Sequence, residues 1–219
     1  MTKPFVVSNI FEIEDNLKIM KDTLGPYEYY YIDNFYKRPN EISSLLKESW
    51  CPQFAFSSRG RNFKDYYDCR LSFTIEDNGF VEDIKTQDFF YNHISKEYTC
   101  NRLDTNIFSW KKVPEKNIQF QPHRDECINI LVYMDKINSG GTALYKEREN
   151  ARYLNLNNDN LQYDISDEKD DFYVIPSVFN RCIIFDGTIP HGGYIENHDL
   201  YTHDNWRYNC VYFLRSKDD

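Results

Sequence analysis

From Asn106 onward the sequence breaks into short β-prone runs separated by turn signals, and this pattern most restricts what the chain can fold into. Runs at 106–111, 127–134, 142–147, 172–175, 181–186 and 207–214 are each about one strand long. Asn138-Ser139-Gly140-Gly141 is a turn signal between two of them. Short, evenly punctuated strands bury their apolar faces by packing as a sandwich or by closing as a barrel. The 18 Tyr and 16 Phe strengthen the expectation, because aromatic residues favour strands.

The first half mixes strands with helices. Residues 29–35 read as a strand. Pro39-Asn40-Glu41 then opens a helix running through Trp50, with Asn40 as its cap. Residues 54–67 read as a polar loop carrying Ser57-Ser58-Arg59-Gly60-Arg61, with Lys64 beyond. Residues 69–75 return to strand character, and 81–98 show helical spacing of apolar positions. The two helices are expected to buttress one face of a sheet. The Asn- and Asp-rich stretch 149–171 reads as an inserted loop or lid rather than a boundary. A chain of 219 residues then makes one β-rich α+β domain. Residues 1–105 supply helices and supporting strands, and 106–219 supply most of the core.

Charge and cysteine usage narrow the class. The balance of 26 Lys+Arg against 35 Asp+Glu, a net −9, opposes broad binding to nucleic acid, although a local basic groove remains compatible. No segment is long and apolar enough to span a bilayer, and the apolar start is too short for a signal peptide. The six cysteines (Cys51, Cys69, Cys100, Cys127, Cys182 and Cys210) form no CxxC pair and no zinc-finger spacing. They read as reduced core thiols of a cytoplasmic protein.

The chemistry-bearing residues lie in the second half. In Gln121-Pro122-His123-Arg124-Asp125, an extended backbone points His123 and Asp125 to one side and Arg124 to the other. His191, in Pro190-His191-Gly192-Gly193, follows a strand and a turn at Gly187. Two imidazoles and one carboxylate suit a divalent first-row metal and leave positions open for other ligands. HxD alone is a weak motif, and a lone histidine such as His123 is more often a surface or hydrogen-bonded residue. His93 reads as a solvated or capping residue of the second helix. His198 and His203 fall in a polar loop and rank below His191.

Arg207 opens the last strand, where Arg207, Asn209 and Val211 share one face, and Tyr208, Cys210 and Tyr212 the other. An inward arginine is costly unless paired with an anion, either a ligand carboxylate or a buried Asp or Glu. Asn129 and Tyr133 share parity with Asp125 if the strand between them is unbroken. Tyr133 is then either a hydroxyl donor to the same ligand or a core aromatic satisfied locally.

Taken together, His123-x-Asp125, His191 and Arg207 resemble the iron(II)- and 2-oxoglutarate-dependent dioxygenases. The closer resemblance is to their prolyl-4-hydroxylase-like branch, and within it to a bacterial and phage subgroup. The matching segments are Tyr30–Phe35, Ile130–Met134, Gly140-Gly141-Thr142-Ala143-Leu144-Tyr145, and Phe179-Asn180-Arg181 through Asp186-Gly187. The resemblance spans about residues 29–215. It implies a double-stranded β-helix, a cupin-like jelly-roll barrel, with iron(II) on His123, Asp125 and His191. It implies 2-oxoglutarate on Arg207, with Tyr133 at a helper position and Asn129 and Asn209 beside the same pocket, and O2 as the oxidant. The implied reaction hydroxylates a peptide, amino acid or small metabolite and releases succinate and CO2. Two departures stand out. Phe108, Ser109 and Trp110 occupy the region of the family's upstream tyrosine, and a polar insert lengthens the interval between His191 and Arg207. Rival readings are a nucleic-acid-modifying oxygenase of the same chemistry, a non-catalytic jelly-roll binding protein and a zinc hydrolase. The sequence does not specify an oligomeric state.

Overall fold

The computed structural model describes residues 10–47, 65–74, 84–100, 102–115, 118–120, 122–146, 162–164, 171–202 and 204–216. Within them lie thirteen strands and two α-helices. The strands are β1 (Met20–Leu24), β2 (Tyr27–Ile32), β3 (Tyr66–Thr74), β4 (Tyr98–Thr99), β5 (Arg102–Trp110), β6 (Ile118–Phe120) and β7 (Ile128–Tyr133). They continue with β8 (Gly141–Tyr145), β9 (Gln162–Asp164), β10 (Phe172–Pro176), β11 (Cys182–Asp186), β12 (His191–Tyr194) and β13 (Arg207–Ser216). The helices are α1 (Pro39–Leu45) and α2 (Ile84–His93).

The large sheet runs β1-β2-β11-β7-β13-β5-β3, with β4 also pairing β13. The small sheet runs β10-β8-β12, and β6 pairs β9. Every strand pair is antiparallel. Gln119 of β6 ties to the end of β12, its amide bonding both the N–H (2.7 Å) and the carbonyl (2.8 Å) of Ile195.

Strand alternation separates two cores. On the outer face of the large sheet, Ile32, Leu103, Ile107, Ile130, Val132, Cys182, Tyr208, Cys210 and Tyr212 pack with Ile42 of α1 and with Phe89 and Phe90 of α2. The helices therefore buttress one face, as the apolar spacing predicts. On the inner face, Tyr29, Tyr133, Ile183 and Phe185 meet Leu144 and Ile175 of the small sheet. Burial of these apolar surfaces is the main favourable term holding the two sheets together.

Several expectations are corrected. The cap of α1 is Arg38, without a side-chain hydrogen bond, and Asn40 lies inside the helix. Pro39 explains this, because its fixed φ and missing N–H suit the first helical position. The second helix ends at His93, and Tyr98 begins a short strand on β13. His123 and Asp125 do not lie in a regular strand. His123 forms an isolated bridge with His191, and His191 itself opens β12. Residues 162–164 of the Asn/Asp-rich insert form β9. The rest of that insert from 149 to 170, and the loop over 54–64 with Arg59, Arg61 and Lys64, lie outside the described residues.

Candidate metal centre

His123, Asp125 and His191 bring one donor atom each to within 4.8 Å of one another. The two histidines are joined through their backbones: His123 N–H donates to the His191 carbonyl and His191 N–H to the His123 carbonyl, both at 2.9 Å. Asp125 N–H donates to Gly187 O at 2.8 Å, and Gly187 N–H to Cys127 O at 2.9 Å. A Cβ at Gly187 would stand 2.5 Å from Cys127 O, so the turn closes over the HxD segment only as glycine. These bonds do the work the sequence assigns to strand parity. Arg124 turns away, its Nη1 donating to Thr188 O at 2.7 Å.

The donor set fits a metal ion. Asp125 Oδ2 lies 3.3 Å from His191 Nε2 and 3.8 Å from His123 Nε2. Adjacent donors around a first-row ion with bonds of about 2.1 Å stand about 3 Å apart. His191 Nδ1 donates to Ile189 O at 2.7 Å, which fixes the tautomer that keeps the Nε2 lone pair for a metal. The His191 side chain is 6% exposed and that of His123 is 36% exposed, so access is from the His123 side. Burial raises the Asp125 pKa, but the polar contacts with His191 and His123 and the hydrogen bond from Asn129 Nδ2 outweigh it. The carboxyl is held well below the usual range and remains anionic, as a metal ligand must be.

Asn129 stands against the ligands. Its Nδ2 donates to Asp125 Oδ2 at 2.9 Å and lies 2.9 Å from His191 Nε2. Cys127 Sγ–H donates to Asn129 Oδ1 at 3.1 Å, which sets the orientation of the amide. Residues 126–127 form a bend rather than strand, yet Asn129 still reaches Asp125.

Arg207 is buried between the sheets, and Nη2 donates to Gly141 O at 2.9 Å. Among the described residues no carboxylate lies within ion-pair distance of its guanidinium, although its charge opposes the upward push of burial on the pKa of the buried Asp135 carboxyl. A Cβ at Gly193 would stand 3.5 Å from Arg207 Nη1. Gly193 follows His191 by two residues on β12, so both present the same face about 7 Å apart along the strand. Tyr133 is fully buried, its hydroxyl 2.8 Å from Thr142 Oγ1 and 3.3 Å from Ile175 O, and burial pushes its pKa up. Asn209 pairs with Tyr133 in register, and its buried Oδ1 has no hydrogen-bond partner among the described residues.

Thr142 and Gly193 escaped the sequence reading as site residues. Their signals were present in Gly140-Gly141-Thr142 and His191-Gly192-Gly193. Phe108 stands opposite Arg207 in register and packs edge-on to Phe120 at 4.9 Å. Ser109 Oγ donates to Tyr201 O at 3.4 Å, and Trp110 Nε1 to His198 Nδ1 at 3.1 Å. That bond engages His198 away from the triad. His93 Nδ1 lies 3.0 Å from Phe89 O. His203 lies outside the described residues.

No family model and no curated protein matches the sequence. Among solved structures, the chain is similar to HygX from Streptomyces hygroscopicus with nickel and 2-oxoglutarate bound. The two are 9% identical over 86% of this chain and 83% of that chain, with a TM-score of 0.52. EvdO2 from Micromonospora carbonacea var. aurantiaca is 13% identical over 86% of each chain, with a TM-score of 0.48. At such identities the likeness is one of architecture, and this chain shares the fold of HygX.

Proposed function

We propose that this chain is an iron(II)- and 2-oxoglutarate-dependent oxygenase that hydroxylates a C–H bond of a peptide, amino acid or small metabolite. The observation that carries the reading is the layout of β12. Its first residue, His191, belongs to the donor triad, and Gly193 borders the buried guanidinium of Arg207, which has no carboxylate within ion-pair distance among the described residues. The shared fold with HygX, which holds nickel and 2-oxoglutarate, supports it.

His123, Asp125 and His191 would hold the iron, which supplies activation of O2 coupled to decarboxylation of 2-oxoglutarate to succinate and CO2. Arg207 would dock the distal carboxylate, with the hydroxyls of Tyr133 and Thr142 and the amide of Asn209 as neighbouring polar groups. Asn129 holds the Asp125 carboxylate in place.

Strand order supports a jelly roll within one domain: β5, β7, β11 and β13 lie in the large sheet, β8, β10 and β12 in the small one, and β6 beside β12. The Gly140-Gly141-Thr142 turn and the segment Ile130–Met134 support the prolyl-4-hydroxylase-like branch. A net charge of −9 favours a small or peptide substrate over nucleic acid. The buried thiols Cys127, Cys182 and Cys210 suit the cytoplasm.

The test is succinate release from 2-oxoglutarate with iron(II) and O2 across a panel of amino acids, peptides and small metabolites. Stimulated release that disappears in Asp125→Ala supports the reading. Release that survives in Asp125→Ala sinks it.

A further inference from the structure

The connection between His191 and Arg207 carries a 3-10 turn, His198–Leu200, and then Tyr201, which is fully buried. A solvated insert does not need a buried tyrosine at its base, so the contacts of this side chain are informative. Its ring packs with Tyr66, Phe108, Trp110 and Ile195. Its hydroxyl donates to Asp135 Oδ1 at 2.9 Å, lies 3.1 Å from Ser139 O, and accepts from Ser139 N–H at 3.3 Å. The hydroxyl therefore bridges both ends of the turn that leads into β8.

Two residues beyond that turn, at the start of β8, lies the carbonyl that holds Arg207. Nη2 of Arg207 donates to Gly141 O. The adjoining backbone leaves little slack on its other sides. A Cβ at Gly140, whose φ is +102°, would meet Tyr194 O at 2.1 Å, and one at Gly141 would meet Ile175 O at 1.9 Å. Ser177 N–H also donates to Gly140 O at 2.9 Å. Over 135–139 the turn is closed by Asn138 N–H on Asp135 Oδ1 at 3.1 Å, by Asn197 N–H on Ser139 Oγ at 3.1 Å, and by the Tyr201 hydroxyl, which alone among the described residues joins its two ends.

We infer that Tyr201 is a positioning residue for the Arg207 clamp, acting through the Asp135–Ser139 turn and Gly141. The inference rests on the proposed role of Arg207. An arginine side chain is long and loses much rotamer freedom when fixed, so the carbonyl anchoring it must itself be fixed. The insert thus fixes the end of the site that receives the far carboxylate of 2-oxoglutarate, away from the metal.

The backbone of Tyr201 is anchored independently of its hydroxyl. Trp110 N–H donates to Tyr201 O at 2.8 Å, and Trp110 bridges Thr202. Tyr201→Phe therefore removes the brace and leaves the insert seated. The test is anaerobic titration of the iron(II) protein with 2-oxoglutarate and, separately, with pyruvate, which has the same keto-acid end but no distal carboxylate. Wild type, Tyr201→Phe and Arg207→Ala are compared. The ratio of the two dissociation constants is internal to each protein, so a change in folded fraction cancels. In Tyr201→Phe we expect 2-oxoglutarate to bind about fivefold more weakly, the scale of one lost hydrogen bond, with pyruvate and iron affinities within about twofold. We expect kcat at saturating 2-oxoglutarate also to stay within about twofold. An unchanged ratio in Tyr201→Phe alongside a collapsed ratio in Arg207→Ala overturns this inference alone. An unchanged ratio in Arg207→Ala overturns the proposed clamp.

Discussion

His123 and His191 exchange both backbone hydrogen bonds, each at 2.9 Å, so two candidate metal ligands remote in sequence are held together by one backbone pairing. Their ring centroids are 4.5 Å apart. A site held by backbone pairing on both sides suits a metal centre that must keep one geometry.

The amide of Asn129 is the nearest support of that geometry, with Nδ2 at 2.9 Å from both Asp125 Oδ2 and His191 Nε2. Asn129→Ala removes the donor that orients the carboxylate. Iron(II) affinity, followed by anaerobic competition with a chelator, is expected to fall about 10- to 100-fold. An unchanged affinity would mean that the amide only fills space.

Gly193 tests the room left for the clamp. A methyl group there would meet Phe120 at 2.9 Å and Arg207 Nη1 at 3.5 Å. Gly193→Ala is expected to weaken 2-oxoglutarate binding several-fold while iron binding holds. Equal losses in the two titrations would place the damage in the sheet rather than in the clamp.

His198 gives a pH dependence independent of the metal. Burial lowers its pKa from 6.5, with nearby Asp199 opposing, and its Nδ1 accepts from Trp110 Nε1. The unfolded chain takes up this proton before the folded one. Stability from the neutral ring is therefore full above about pH 6.5 and is lost as pH falls through the depressed folded-state pKa. Urea unfolding of wild type should lose more stability between pH 7.5 and 5.5 than that of His198→Asn. Parallel losses in the two proteins contradict the assignment.

Ile130 lies fully buried in the centre of the large sheet, on the face covered by the helices. Ile130→Ala should cost about 2–5 kcal/mol in unfolding free energy. The iron affinity of the folded fraction should be preserved, because the residue faces away from Asn129 and Tyr133.

Much of this was legible in the sequence, for physical reasons. Strand periodicity alone assigns Tyr208, Cys210 and Tyr212 to one face and Arg207 and Asn209 to the other, and the outer core contains the first three. The pairing of His123 with Asp125 followed from extended backbone, although the support comes from Gly187 and His191 rather than from a strand. Short elements were not legible. The strand β12 has four residues, two of them glycine, and β6 has three, too few for periodicity to register. Thr142 and Tyr201 are not legible in the sequence because what they touch depends on contacts across the fold. The Asn40 cap was displaced because Pro39 took the first helical position.

The most direct measurement is the visible spectrum of the protein after anaerobic addition of iron(II) and then 2-oxoglutarate. The proposed chemistry predicts a metal-to-ligand charge-transfer band in wild type that is lost in Asp125→Ala and, at low 2-oxoglutarate, in Arg207→Ala. A wild-type protein that binds both components but shows no band, or a band unaffected by Asp125→Ala, would contradict it.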